Sequence, residues 1–303
     1  MSSTVMPRTP AGLDARAATI LVACCAMWGL GLVMAKTANT GISPLMNCAL
    51  RSVASGAILF GWTRLRGIRL FERDQTLKPG LLVGIFFALE FLFLYPGLSL
   101  TQVARATIFL HCAPFAAAFG EHLFVPGHRL TRIKVAGLCA AFAGLAIALG
   151  GGITSMSSET LTGDFLCLLG GIAWGITTVI VRATSLRAAP AEKTLLYQLA
   201  ISVPVLLAAS LAFGESGVTG LTPTVLGAFA YTVIGTVVLG YTTWFWLMRT
   251  YSAASLHAFT FLTPIFGVLA GHFVLGEMIA GATLVGLAFV AFGIWLVNKP
   301  TAA

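Results

Sequence analysis

Two apolar segments that resemble each other constrain the fold of this chain more than any other feature. The segment from Gly240 to Glu277 predicts two apolar helices joined by a short polar turn at residues 249–252, with Pro264 inside the second helix. The segment from Glu90 to Leu123 follows the same plan about 150 residues earlier and places Pro114 on Pro264. Each predicted helix, extended upstream where needed, has the ~20 residues that cross ~30 Å of hydrocarbon.

The similarity extends beyond these two segments. Residues 25–36 align with residues 171–182, which places Trp28 on Trp174. Two glycines about seven residues apart also recur near the end of each half. Internal self-similarity indicates repeated structural units, so the chain is predicted to be a duplication.

Composition assigns the chain to the membrane class. Of its residues, 58% are hydrophobic and 9% are charged, and a water-soluble core cannot hold that much apolar surface. We therefore expect an all-α, polytopic membrane protein with ten transmembrane helices. The predicted spans are residues 17–36, 44–64, 80–100, 102–120, 131–150, 163–182, 193–213, 223–246, 253–274 and 279–298.

The positions of Lys and Arg predict the orientation, because cytoplasmic loops of membrane proteins are enriched in these residues. With both termini in the cytoplasm, the basic residues in the loops and at the span ends fall on that side, apart from Lys36 and Arg105. The opposite loops carry mainly acids. We therefore expect a multi-pass membrane protein with both termini in the cytoplasm.

An odd number of spans in each half predicts an inverted repeat, since the second half must then enter the membrane from the other side. The five-helix repeats are residues 1–150 and 151–303, which together form one membrane domain, and the loop Gly150–Asp164 is the predicted external linker. Inverted repeats are common in secondary transporters, whose substrate site lies near the midplane between the repeats.

Several of these residues, in this order, are typical of a known group of proteins. They are Trp28 and Trp174 (each followed by Gly), Arg51, Pro114 and Pro264 in paired helices, and the ending Leu275-Gly276-Glu277 followed by Gly286 and Gly293. The chain resembles the EamA-type families of the drug/metabolite transporter superfamily, and most of all the bacterial amino-acid exporters of the aromatic amino-acid and paraquat type. The resemblance implies ten helices around a central cavity, with spans 5 and 10 set apart from the substrate path. It also implies that the protein lies in the inner membrane of a bacterium.

Tryptophans near the middle of spans 1 and 6 are candidates for lining that cavity. Trp28 and Trp174 lie far from the membrane interfaces, where tryptophan is usually enriched. An indole combines apolar area, an N–H donor and a face that binds cations. The alternative is helix packing beside the adjacent Gly29 and Gly175. Tyr241 and Trp244 share one helix face and are further candidates for substrate binding.

Ionisable residues at mid-membrane depth are the other candidates, because charges there are costly and usually functional. Glu90 and His111 are candidates for proton coupling, and Arg51 for substrate binding. The alternative is a structural ion pair between Arg51 and Glu90. Neutral hydrogen bonds to substrate are predicted from Asn47, Tyr95 and Tyr197, and hinge bending from Pro114 and Pro264.

The leading functional hypothesis is a secondary exporter of small metabolites, amino acids in particular, that works by alternating access. An exporter of cationic or aromatic drugs is the alternative within transport, and an intramembrane enzyme or a passive channel fits less well. No nucleotide-binding loop or metal-spaced set of residues occurs, so no cofactor and no enzyme activity are expected. The expected partners are a small-molecule substrate and the lipid bilayer, with no nucleic acid, and the chain acts as a monomer or homodimer.

Overall fold

All regular secondary structure in the described residues is helical. The computed structural model describes residues 13–70, 72, 74–101, 103–149, 157–275 and 281–299. The helices are α1 (Ala15–Ala38), α2 (Pro44–Leu65), α3 (Leu77–Leu100), α4 (Val103–Leu110), α5 (Ala113–Phe124), α6 (Arg132–Leu149), α7 (Ser158–Ala183), α8 (Ala191–Ala212), α9 (Pro223–Tyr231), α10 (Thr242–Met248), α11 (Ala253–Thr260), α12 (Leu262–Leu275) and α13 (Gly281–Asn298), with a π-helix (Thr232–Tyr241) that joins α9 to α10 and a short 3-10 turn (Ser185–Arg187) before α8.

These helices confirm an all-helical, polytopic membrane protein. Five helical segments in the described part are long and apolar enough to cross a membrane by themselves: Ala15–Ala38, Leu77–Gly97, Ser158–Ala183, Ala191–Ala212 and Pro223–Met248. Shorter apolar helices accompany them. The number of ten spans and the inversion of the repeat remain predictions. The start of the predicted linker at residues 150–156 and the ending Gly276-Glu277 lie outside the described residues.

Two of the predicted spans are broken close to their prolines. The first break separates α4 from α5 at His111 and Cys112, and Pro114 stands in the first turn of α5. The second separates α11 from α12 at Phe261, and Pro264 follows within the first turn of α12. Proline cannot donate a backbone hydrogen bond, which explains why both helices are interrupted just before it. The two breaks meet, with the rings of His111 and Phe261 6.1 Å apart.

The first long helix of each half packs against the broken helix of the other half. Gly29 of α1 lies so close to α12 that a Cβ atom on it would stand 2.7 Å from the backbone nitrogen of Gly267. Gly175 of α7 lies equally close to α5, where a Cβ would stand 2.6 Å from that of Ala116. Only glycine permits these approaches, so the glycine beside each mid-span tryptophan has a packing role.

Loop contacts gather the Lys- and Arg-rich loops at one end of the bundle, which we call the basic end. Lys193 at the start of α8 donates to Asp74 in the loop between α2 and α3, with 2.8 Å between Nζ and Oδ2. The hydroxyl of Ser185 donates to the carbonyl of Gln75 at 3.0 Å. The N-terminal end of α1 lies here too, because the hydroxyl of Tyr251 donates to Asp14 at 3.0 Å.

At the other end, which we call the opposite end, the loop between α1 and α2 joins the loop between α8 and α9. The backbone N–H of Ser43 donates to the carbonyl of Gly217 at 2.8 Å, and that of Thr219 donates to Gly41 at 2.9 Å. The carboxylate of Glu215 accepts from the first two backbone N–H groups of α2, Leu45 and Met46, at 2.9 Å each. A carboxylate at a helix N-terminus satisfies donors that the helix itself leaves unpaired.

Candidate functional site

Nine aromatic and imidazole rings form a continuous line across the middle of the bundle, which we call the aromatic series. Its members in spatial order are Tyr95, Phe91, Phe87, Tyr241, Trp28, Trp244, His257, Trp174 and His111. The centroids of neighbouring rings are 5.0 to 6.2 Å apart. Both halves of the chain contribute, because the rings come from α1, α3, α7, the segment 232–248, α11 and the first helix break.

The centre of the series brings together three predicted site residues. Trp28 meets Tyr241 at 5.8 Å and Trp244 at 5.6 Å, both edge to face. Its indole N–H donates to the carbonyl of Thr236, 3.2 Å away in the π-helix. A π-helix changes the rotation per residue and often occurs at functional sites, and here it delivers Tyr241 and Trp244 to the same point.

The series continues into two buried histidines. His257 has no exposed surface, lies between the rings of Trp174 at 5.2 Å and Trp244 at 5.1 Å, and places Nε2 2.9 Å from the hydroxyl of Thr178. The Nδ1 of His111 lies 2.8 Å from the carbonyl of Thr107. A carbonyl only accepts, so Nδ1 of His111 carries the proton.

The first end of the series lies beside Arg51 and Glu90, the two ionisable residues predicted to lie at mid-membrane depth. The guanidinium of Arg51 lies 5.0 Å from the ring centroid of Phe91, and its Nε has no hydrogen-bond partner in the described part of the chain. Arg51 is 7% exposed and Glu90 8%. The ion pairs between described residues do not include Arg51 with Glu90. Beside them the thiol of Cys48 donates to the hydroxyl of Tyr95 at 2.8 Å.

Two of the predicted hydrogen-bonding residues lie elsewhere. The amide of Asn47 donates to Asn39 at 2.6 Å, near the loop between α1 and α2. The ring of Tyr197 covers Gly80 of α3, and its hydroxyl lies 3.2 Å from that of Thr76 towards the basic end. Neither belongs to the aromatic series.

Sequence reasoning missed three rings of the series, namely Phe87, Phe91 and His257. A signal was present for two of them, because Phe87, Phe91 and Tyr95 follow each other at intervals of four residues and therefore share one face of α3. His257 gave no such signal, since the predicted span 253–274 places it near a span end, where a histidine is usually packed or solvated.

Sequence reasoning also missed a buried charge cluster at the basic end. The Nε and Nη2 atoms of Arg182 each lie 3.0 Å from Oε1 of Glu121, and the two residues are 2% and 3% exposed. The Nε2 of His128 accepts from Arg182 at 2.9 Å, and burial lowers the pKa of this histidine. Glu121 also accepts the backbone N–H of Ala253 at 3.0 Å, and Arg182 donates to the carbonyl of Met248.

A cleft of about 660 Å³ opens next to this cluster. Its lining residues are Thr184, Arg187, Ala188, Trp246, Arg249 and Thr250. Trp246 is 48% exposed here. No group of three or more His, Cys, Asp or Glu side chains that could hold a metal ion occurs in the residues described.

Comparison with known proteins gives a consistent result. The sequence model of the EamA-like transporter family matches the chain twice, at residues 15–150 and 161–299. An uncharacterized transporter of Archaeoglobus fulgidus is 23% identical over 89% of this chain and 93% of its own. The uncharacterized transporter YvbV of Bacillus subtilis is 24% identical over 95% and 93%, and the uncharacterized inner membrane transporter YedA of Escherichia coli K12 is 27% identical over 90% and 87%. These names describe transporters rather than enzymes.

A protein of known crystal structure has the same fold. It superimposes with a TM-score of 0.77 over 93% of this chain and 96% of its own, at 18% sequence identity.

Proposed function

Because the chain belongs to the EamA-like transporter family of the drug/metabolite transporter superfamily, we propose that it is a secondary exporter of amino acids that works by alternating access. The aromatic series is the observation that carries this proposal. It runs between the two halves and ends beside a buried arginine and a buried glutamate that are not joined in an ion pair. Buried polar groups without partners are expensive, so they favour a polar ligand that completes them.

An amino-acid zwitterion has the charges that this site lacks. Its carboxylate is the natural partner of the Arg51 guanidinium, and its ammonium group suits both Glu90 and the faces of nearby aromatic rings. Trp28, Trp174, Tyr241 and Trp244 then form the walls around its side chain.

The contacts at the two ends support two inverted five-helix repeats and ten spans. At the opposite end the loop between the first two helices of the first half meets a loop of the second half, through Ser43 and Gly217. At the basic end the corresponding loop of the second half meets a loop of the first, through Ser185 and Gln75. This exchange is what a two-fold axis in the membrane plane requires. The separate family matches to residues 15–150 and 161–299 support the same arrangement.

Alternating access then consists of the halves rocking around the aromatic series, with the helix breaks before Pro114 and Pro264 as hinges. The basic end faces the cytoplasm of a bacterial cell in this scheme, with the termini on the same side.

Mass spectrometry of the medium around cells that overproduce the chain tests the substrate class. We expect one or a few amino acids to accumulate outside these cells and not outside cells that produce the Trp28→Ala variant at the same level. Unchanged amino-acid efflux, together with export of other metabolites, would show that the substrate class is wrong.

A drug exporter is the second candidate, because the nearly buried Glu90 lacks an ion-pair partner among the described residues and suits an organic cation. Under that function the same cells resist cationic aromatic compounds, and Glu90→Gln removes the resistance while leaving amino-acid efflux at its background level.

A further inference from the structure

The buried charge cluster holds together three segments that come from both halves of the chain. Glu121 belongs to α5, Arg182 lies in the last turn of α7, and Ala253 begins α11 after the turn that follows Met248. The carboxylate of Glu121 accepts from both Arg182 and the first turn of α11. Loss of this one carboxylate therefore removes the polar contacts of Arg182 and of the first turn of α11 with α5 together.

The cluster lies one helical turn from the aromatic series along each segment. Thr178, which binds His257, precedes Arg182 by four residues, and His257 follows Ala253 by four residues. Trp244 precedes Met248 by the same interval. Residues four apart on a helix lie above one another, about 6 Å apart along the axis, so the cluster forms the layer directly beyond the series.

The cleft lies on the far side of that layer. One of its walls is formed by residues 184–188 after α7, and the other by residues 246–250 around the end of α10. The hydrogen bond from Arg182 to the carbonyl of Met248 ties these two segments together. Aromatic series, charge cluster and cleft thus follow one another towards the basic end.

In sequence, the second copy of the repeat does not reproduce this pair at the opposite end. In the repeat alignment Glu121 falls on Gly271 and Arg182 falls on Lys36, so no carboxylate stands opposite the lysine. Lys36 is exposed. Among the described residues, the cluster therefore has no counterpart at Lys36.

From this geometry, and on the basis of the proposed transport function, we propose that Glu121 and Arg182 form the gate at the basic end. They close the passage between the cleft and the aromatic series, and they must separate before a solute moves between them. Arg187 and Arg249 line the cleft, and the described residues of its lining include no acid. The passage therefore favours solutes with an anionic group such as a carboxylate.

Thiol labelling of Thr178→Cys, in a chain whose six cysteines are replaced, measures passage through the gate without any substrate. Thr178 is 1% exposed and next to His257, so labelling is slow when the gate is closed. In membrane vesicles that expose the basic end, Glu121→Gln should speed labelling by on the order of tenfold, because the neutral amide holds Arg182 far less strongly. Asp74→Asn is the matched control, since it breaks a carboxylate contact at the same end away from the cleft, and it should leave the rate unchanged.

Removing one partner of a buried ion pair can prevent folding, so the double variant Glu121→Gln with Arg182→Gln is included. The double variant leaves neither member of the ion pair buried without its partner. It should increase the labelling rate of Thr178→Cys as much as Glu121→Gln alone. Labelling at the parental rate in every variant that keeps its thermal melting profile overturns the gate. Faster labelling only from the opposite face overturns its position.

Thiol reagents of opposite charge test whether the cleft is the route to Thr178. In the Glu121→Gln background a sulfonate-bearing methanethiosulfonate should label Thr178→Cys faster than a trimethylammonium one, and Arg187→Gln with Arg249→Gln should reduce that preference. No change in the preference overturns the cleft as the route. Because none of these measurements needs transport, absence of amino-acid efflux with normal gating would reject the proposed substrate alone.

Discussion

Trp28 and Trp174 occupy equivalent positions in the two halves but have different surroundings. The indole N–H of Trp28 donates to the carbonyl of Thr236, and the ring contacts Tyr241 and Trp244. Trp174 lies between two imidazoles, at 6.0 Å from His111 and 5.2 Å from His257. The site is therefore unequal at its two sides, as binding of an asymmetric solute requires.

Replacing either tryptophan with alanine should impair transport strongly while the protein remains folded. Each indole contributes aromatic pairs worth about 0.5–1.5 kcal/mol beyond its buried area, and the neighbouring glycines keep the helix packing intact. Efflux and thermal melting measured on the same samples separate the two effects. Trp295→Ala is the control, because this exposed ring of α13 lies outside both the aromatic series and the cleft and should matter for neither. Equal loss of folded protein and of transport would favour the packing interpretation.

Glu90 and His111 should decide whether transport responds to a proton gradient. Both are buried and lie in adjacent spans of the first half, where burial makes the charge of an ionisable group depend on its surroundings. Glu90→Gln or His111→Gln should abolish gradient-driven efflux and leave downhill exchange. Proton-driven transport at the parental rate in both variants would rule out this role. Folding loss in Arg51→Ala that Glu90→Gln rescues would instead indicate a structural pair.

At the scale of the helices, the hydropathy of the sequence predicted where most of the apolar helices lie. The prolines predicted where two of them are interrupted. The interruptions near Pro114 and Pro264 follow from proline itself. The π-helix at residues 232–241 could not be predicted, because an almost wholly apolar run has the same pattern whatever its helical period. The Glu121 cluster escaped notice because its partners lie 61 and 132 residues away in the chain, and an acid near a span end usually faces water.

The link between Asp74 and Lys193 should make stability depend on pH in acid. The hydrogen bond from Lys193 lowers the pKa of Asp74 to about 2, from 3.8 in an unstructured chain. A carboxyl whose pKa falls on folding stabilises the fold above the higher value and loses that effect as pH falls towards the lower one. Asp74→Asn should therefore lower the melting temperature slightly at pH 7. The difference should shrink below pH ~4 and vanish near pH ~2. A constant difference across that range would contradict the assignment.

For the whole molecule, the gathering of basic loops at one end predicts its orientation in the cell. Arg187 and Ser158 are both exposed and lie near different ends of α7. An impermeant thiol reagent applied to intact cells should label Ser158→Cys and leave Arg187→Cys unlabelled. The reverse pattern would place the basic end outside the cell.

The exchange of packing at Gly29 and Gly175 has a consequence for how the protein is made. The surface of α1 that packs against α12 leaves the ribosome long before α12 is synthesised. The surface of α5 that packs against α7 likewise has no partner until α7 is synthesised. Residues up to 149 therefore enter the bilayer with incomplete contacts, and the membrane insertion machinery or surrounding lipid must cover them until the second half arrives. A chain cut in the linker and produced as two fragments should survive cellular proteolysis only when both fragments are synthesised together.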